Sequence, residues 1–119
     1  MLSRRERLTR RRDFAAVYAR KKSWATPLLV FYVRRHEPQG PLAETRRLGF
    51  SVSKKVGKAH DRNRVKRRLR EICRKQLPNL MAGFDGIWVV RSGAASAGFQ
   101  ELEDAALLLL KRAKVFHAP

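Results

Sequence analysis

The sequence predicts a mixed α/β (α+β) fold, a two-layer sandwich with helices laid against a small sheet. Three observations carry that expectation. Three segments are rich in β-branched and aromatic residues, one of them alternating strictly. Three others repeat apolar residues at helical spacing. Together they run in the order helix, strand, strand, helix, strand, helix. With 119 residues, 44% of them hydrophobic, the chain suffices for one domain around one core.

Residues 1–12 are mostly arginine and polar side chains, and 1–8 are expected to form a basic arm, poorly ordered without a partner. From Thr9 to Arg20 a short helix is expected, because Phe14, Val17 and Tyr18 fall at i, i+3 and i+4 on one face. Ser23–Pro27 should break it, since Pro27 lacks an N–H and biases Thr26 to extended geometry. Leu28–Arg34 reads as a strand with Leu28, Val30 and Tyr32 on one face and Leu29, Phe31 and Val33 on the other. His36–Thr45, with Pro38, Gly40 and Pro41, is a loop. Arg47–Ser53 alternates: Leu48, Phe50 and Val52 face one way, and Gly49, Ser51 and Ser53 leave the other face open. The Pro/Gly loop between these strands implies an antiparallel hairpin.

Lys54–Asp61 is a basic loop around Gly57, and Arg62 to Leu77 is the strongest helix. Val65, Leu69, Ile72 and Cys73 give it a narrow apolar stripe, Asp61 can cap its start, and Pro78 marks its end. Asp85–Arg91 is a third strand and Ser92–Gly98 a small-residue loop. Ala97–Lys114 is an amphipathic helix with Phe99, Leu102, Ala106, Leu109 and Ala113 in line. Residues 116–119 are a tail. A βαβ return across Arg62–Leu77 should join the strand beginning near Pro27 to the one near Asp85. No repeat or long linker divides the chain, so 1–119 is read as one domain.

Charge narrows the function. Twenty-eight Lys and Arg face ten Asp and Glu, a net +18, and such a domain repels itself unless a polyanion lies beside it. Nucleic acid, an anionic membrane surface and an acidic protein are the candidates. No apolar run approaches the roughly 18 residues of a membrane span. The single Cys73 can make neither an internal disulfide nor a cysteine metal cage and suits a reducing compartment. The basic N-terminal residues are followed by no apolar stretch, and Glu6 and Asp13 count against an organelle transit peptide, so the cytosol is expected.

Lys54–Lys75 holds eleven basic residues against Asp61 and Glu71. An ordinary solvated helix face mixes signs to gain i,i+4 pairs, whereas this one stacks like charges. At about 100° per residue, Lys66, Arg67, Arg70 and Arg74 cluster opposite Val65, Leu69 and Ile72, so one side is buried and the other offers guanidinium groups. Arginine gives bidentate, permanently charged contacts to phosphate. Arg62, Asn63 and Arg64 are placed in the first turn, where free N–H groups add anion affinity. Phe14, Tyr18 and Tyr32 could form a stacking surface for unpaired bases, with core packing as the alternative for Phe14. Phe31, Phe50, Trp88 and Phe99 are assigned to the core. No Gly-rich phosphate loop or paired carboxylate motif is present. His36, His60 and His117 fall in loops or the tail without partners at ligand or triad spacing, so neither catalytic nor metal-binding residues are expected.

The stretch LGFSVSKKVGKAHDRNRVKRRLRE, residues 48–71, resembles the protein subunit of bacterial ribonuclease P. That family's signature is a strand ending in Ser-x-Ser-Lys-Lys, a short Gly-containing loop, and Arg-Asn-Arg-x-x-Lys-Arg on a helix, here Ser51 to Arg67. Asp13-Phe14, Tyr18 and Tyr32 extend the resemblance to roughly residues 5–115. The resemblance implies a small mixed sheet of about four strands, like domain 2 of ribosomal protein S5, with a left-handed βαβ crossover where the general rule would favour a right-handed one. It also implies a protein that assists a catalytic RNA in removing the 5′ leader of precursor tRNA, an endoribonuclease reaction using magnesium bound mainly by the RNA. By similarity, Lys54, Lys55, Lys58, Arg62, Asn63, Arg64, Lys66, Arg67 and Arg70 would contact the catalytic RNA, one protein per RNA. Phe14, Tyr18, Tyr32, Ser51 and Ser53 would hold the leader. His60-Asp61 stand before the Arg-Asn-Arg triplet where neutral residues are the family's pattern, so Asp61 either weakens phosphate contact locally or caps the helix. The alternatives are a structural ribosomal or RNA-chaperone protein without a role in cleavage, and a stand-alone nuclease.

Overall fold

The most apolar strand takes the centre of the sheet, and the rest of the topology follows from it. The computed structural model describes residues 2–117. Helix α1 (Arg11–Ala19) is followed by strands β1 (Ser23–Ala25), β2 (Leu29–Arg35) and β3 (Arg46–Ser51). Helix α2 (Ala59–Gln76), strand β4 (Phe84–Val90) and helix α3 (Phe99–Arg112) complete the chain. The sheet order is β1-β2-β4-β3. Six of the seven β4 residues are buried, and only Val89 is partly exposed. A strand apolar on both faces needs neighbours on both edges and cover on both sides.

That placement corrects two expectations. β2 and β3 do not form a hairpin, because β4 lies between them, antiparallel to β2 and parallel to β3. The βαβ return across α2 therefore joins β3 to β4, not the strand near Pro27. The supposed break at Ser23–Pro27 instead holds β1, which pairs antiparallel with β2. Pro27 sits in the turn between them, where the Thr26 hydroxyl accepts from the N–H groups of Leu28 (3.2 Å) and Leu29 (3.1 Å).

The alternation read in β2 sorts the two layers. Leu29, Phe31 and Val33 are buried in the main core with α2 and α3, where Phe31 stacks on Trp88 at 4.1 Å between centroids. Tyr32 lies on the other face, in a smaller cluster of Leu8, Val17 and Ile87 with Phe14, Tyr18 and Val89. Helix α2 buries Val65, Leu69, Ile72 and Cys73, the stripe read from the sequence. Burial pushes the Cys73 thiol up to about 12, with the neighbouring Trp88 pulling the other way, so it stays a neutral packing group. No helix is long and apolar enough to cross a membrane among the described residues.

Residues 2–8, read as an arm without order, lie along the fold. Leu2 and Leu8 are buried, and the Leu8 N–H donates to the Leu48 carbonyl at 2.9 Å, covering the outer edge of β3. An open strand edge next to two leucines is sufficient cause, since it offers both hydrogen-bond partners and an apolar seat. Of the tail, Phe116 bridges to Leu80 and the His117 N–H donates to the Asn79 carbonyl at 2.8 Å. Residues 118 and 119 lie outside the described residues.

Candidate nucleic-acid interface

Helix α2 begins at Ala59, earlier than its apolar stripe indicated, and this changes the role of several residues. Asp61 falls in the first turn and accepts from the Lys58 N–H at 3.3 Å, so it caps the helix. It also meets Arg64 at 3.4 Å and His60 at 3.2 Å. The Arg62-Asn63-Arg64 triplet is therefore in the helix body. The Arg62 N–H already donates to the Lys58 carbonyl at 3.0 Å and is not a free anion donor.

The arginines of α2 divide into two groups. Arg64 donates to the Ala95 carbonyl at 3.0 Å and Arg68 to the Ala97 carbonyl at 3.2 Å, tying the helix to the loop before α3. Arg74 pairs with Glu71 at 2.6 Å in a solvent-exposed contact that raises the guanidinium pKa and lowers the carboxylate's. Asn63, Lys66, Arg67 and Arg70, with His60, instead line one open concavity of about 470 Å³. Lys66 and Arg70 also border a groove of about 220 Å³ that includes Phe14, Phe50 and residues Arg7 to Thr9. Phe50 is half-buried, one side packed against the main core and the other bordering the groove, with the Arg70 guanidinium 5.8 Å from its ring centroid. Lys54, Lys55 and Lys58 are exposed at the N-terminal end of α2, the first two in a short turn of 3₁₀ helix, and Arg62 is half-buried.

Phe14 carries the groove on to an aromatic surface. Its ring lies 6.4 Å from Tyr18, and Tyr18 meets Tyr32 edge-on at 4.9 Å between centroids. All three are half-buried, one side packed on the sheet and the other open. Burial raises the Tyr18 pKa, opposed by a hydrogen bond with Ser51 and reinforced by Tyr32, so its phenol remains protonated. Ser51 thus joins the aromatic group. Ser53 stands exposed beyond the end of β3, heading the turn that carries Lys54.

The small-residue face of β3 is not open along its length. Gly49 is buried under Phe14: a methyl group there would come within 2.6 Å of the ring and 3.2 Å of Leu8. Gly49→Ala should therefore displace Phe14, cost about 1–3 kcal/mol of stability and weaken single-stranded RNA binding. Thermal melting and oligonucleotide titration of the variant check both effects.

Beside this surface sits a charge cluster that the sequence did not reveal. Asp85 is fully buried and accepts two hydrogen bonds from Arg47, each 2.8 Å. His36 Nε2 lies 3.0 Å from the same carboxylate, close in distance but without hydrogen-bond geometry. Arg47 also reaches Asp13 of α1 at 3.4 Å. The cluster pins α1 to the sheet next to Phe14.

A basic helix face, a groove and an aromatic platform thus share lining residues in sequence. The first can neutralise phosphates and the last can stack bases. A family model described as Ribonuclease P matches residues 2–114. The ribonuclease P protein component of Alkaliphilus oremlandii (strain OhILAs) is 38% identical over 112 residues, covering 94% of each chain. Among solved structures, a Staphylococcus aureus RNase P protein superposes with a TM-score of 0.83 at 30% identity, covering 94% of this chain and 98% of that one. The RNase P protein from Thermotoga maritima gives 0.78 at 34% identity, covering 91% and 97%.

Proposed function

Because this chain belongs to the ribonuclease P protein family, we propose that it is the RNA-binding subunit of that endoribonuclease, acting in the cytoplasm on precursor tRNA. In this reading Lys66, Arg67, Arg70 and Asn63, with Lys54, Lys55, Lys58 and Arg62 at the helix start, dock on the catalytic RNA. Arg64 contributes mainly by holding α2 in place. Phe14, Tyr18 and Tyr32, with Ser51, hold the 5′ leader, and Ser53 borders its path. The observation that carries this reading is continuity: Lys66, Arg70 and Phe14 line one groove, so an RNA bound along α2 leads directly to the aromatic platform.

The physics suits that division of labour. Leaders differ in sequence, so they are held by backbone charge and stacking rather than by base-edge readout. Magnesium and the cleavage chemistry belong to the RNA. A protein of net +18 lowers the repulsion between two RNAs brought together and so reduces the magnesium that substrate binding requires.

Tyr18→Ala provides the test. It should leave catalytic-RNA binding intact and weaken precursor tRNA by about 1–3 kcal/mol, the worth of one stacked base, while sparing mature tRNA. Equilibrium binding of both tRNAs to the reconstituted holoenzyme measures the difference. Equal loss for both would show that the platform does not hold the leader. Failure of the wild-type chain to stimulate cleavage by the catalytic RNA at low magnesium would favour an RNA chaperone instead.

A further inference from the structure

The outer edge of the sheet at β1 carries a second concentration of positive charge, apart from α2. Arg20, Lys22 and Arg35 surround Trp24 and Val33 in a cavity of about 200 Å³, many times the roughly 10–15 Å³ that one water needs. Among the described residues no carboxylate lines it. Arg20 also borders the adjoining groove with Arg34, where Glu37 is the acidic side chain.

One of these cations is held in place: the Arg35 guanidinium, while the Arg20 and Lys22 side chains are exposed beside it. Arg35 donates to the carbonyls of Ala113 at 3.0 Å and Lys114 at 3.2 Å, at the end of α3. The Lys22 main chain is pinned to β2, its carbonyl accepting from the Val33 N–H at 3.1 Å, which sets where its side chain leaves the sheet edge. Lys21, between Arg20 and Lys22, takes a left-handed φ of 55° where glycine is the usual residue, and so turns the chain from α1 onto the sheet. Trp24 packs against the core yet remains half-exposed. Among the described residues, cations sit over Phe50 and Phe99, and the paired rings are Phe14–Tyr18, Tyr18–Tyr32 and Phe31–Trp88. The Trp24 indole is stacked by none of them.

Three cations with no carboxylate among the described lining residues, one of them tethered, around an unused indole, fit a nucleotide of a single strand: phosphate on the cations and base on the ring. Tyr32 pairs with Ser23 on the platform side of the sheet, and Trp24 pairs with Phe31 on the other. Arg20 follows α1 immediately, two residues beyond Tyr18. A strand crossing Tyr18 and Tyr32 therefore meets Arg20 and Arg34, then turns over the β1 edge onto Trp24.

We propose that RNA leaving the aromatic platform is bound a second time at this edge, its backbone on Arg20, Lys22 and Arg35 and one base on Trp24. This rests on the leader-holding reading above and assigns the 5′-distal part of a long leader to a site of its own.

Two measurements test it. Trp88 is fully buried, so a change in tryptophan emission on adding oligouridylate to the full chain reports Trp24. Quenching is expected, Trp24→Phe should abolish it, and Arg20→Ala with Lys22→Ala should weaken the titration about ten- to thirtyfold near 0.1 M salt. In the holoenzyme, Trp24→Ala should weaken precursor tRNA with a long leader about five- to hundredfold and leave unchanged one whose leader ends on the platform. The Arg20/Lys22 pair should show the same selectivity without touching the core, which guards against a folding defect in Trp24→Ala. Equal loss for both leaders, or none for either, overturns the proposal. If Tyr18→Ala weakens both leaders while the edge variants weaken neither, only this inference fails; if Tyr18→Ala is also silent, the platform reading fails with it.

Discussion

Replacing Lys66, Arg67 and Arg70 together by alanine should weaken binding to the catalytic RNA by about two to three decades near 0.1 M salt. It should also flatten the slope of log affinity against log salt by about 2–3. These three are chosen because they line the open concavity and, among the described residues, make no ion pair or hydrogen bond with the rest of the fold. Arg64, Arg68 and Arg74 do, through Ala95, Ala97 and Glu71, so removing them mixes binding with local structure. Alanine is also a strong helix former, so α2 should persist in the triple variant. Filter binding across a salt series measures both quantities. A loss of affinity with an unchanged slope would mean that the three residues act through shape and not through phosphate neutralisation.

The sequence made the periodic parts of this molecule legible. The stripe Val65, Leu69, Ile72 and Cys73 fixed which side of α2 is buried, and hence which side offers Lys66 and Arg70. The i, i+3, i+4 spacing of Phe14, Val17 and Tyr18 put two aromatics on the face that meets Tyr32. Strand order was not legible, because periodicity says which face a strand buries and nothing about its neighbours. β1 was hidden by its length of three residues and by Pro27 beside it. The start of α2 was missed because its first turn, from Ala59, contributes nothing to the apolar stripe that marked the helix. Phe50 packs against the core as its alternation implies, but its groove side was not legible, because Arg70 beside it comes from another element. The split of α2's arginines into free and tethered depends on carbonyls of Ala95 and Ala97, which no helical wheel contains.

Asp85→Ala should be the most damaging single change to the fold, costing about 3–5 kcal/mol, because it removes both short hydrogen bonds from a largely desolvated guanidinium and leaves it only the longer Asp13 contact. Asp85 is fully buried and the Arg47 side chain only 18% exposed, so water can replace little of what is lost. For a chain of this size each kcal/mol moves the melting temperature by roughly 3–5 °C, which makes the expected drop about 10–25 °C. A hydrophobic pair, Arg47→Met with Asp85→Leu, should be much less harmful than either single change, since it removes the buried charges together. A single change costing under about 1 kcal/mol would show that Arg47 finds other partners. Asp13 is the one within reach, at 3.4 Å. That contact connects stability to function: Asp13 precedes Phe14, so an Arg47 released from Asp85 would let the start of α1 shift over Gly49. The preference for precursor over mature tRNA should therefore fall in Asp85→Ala well below its melting temperature, and the hydrophobic pair should restore stability without restoring that preference. Recovery of both together would mean that Arg47 serves packing alone and that Phe14 keeps its seat without the Asp13 contact.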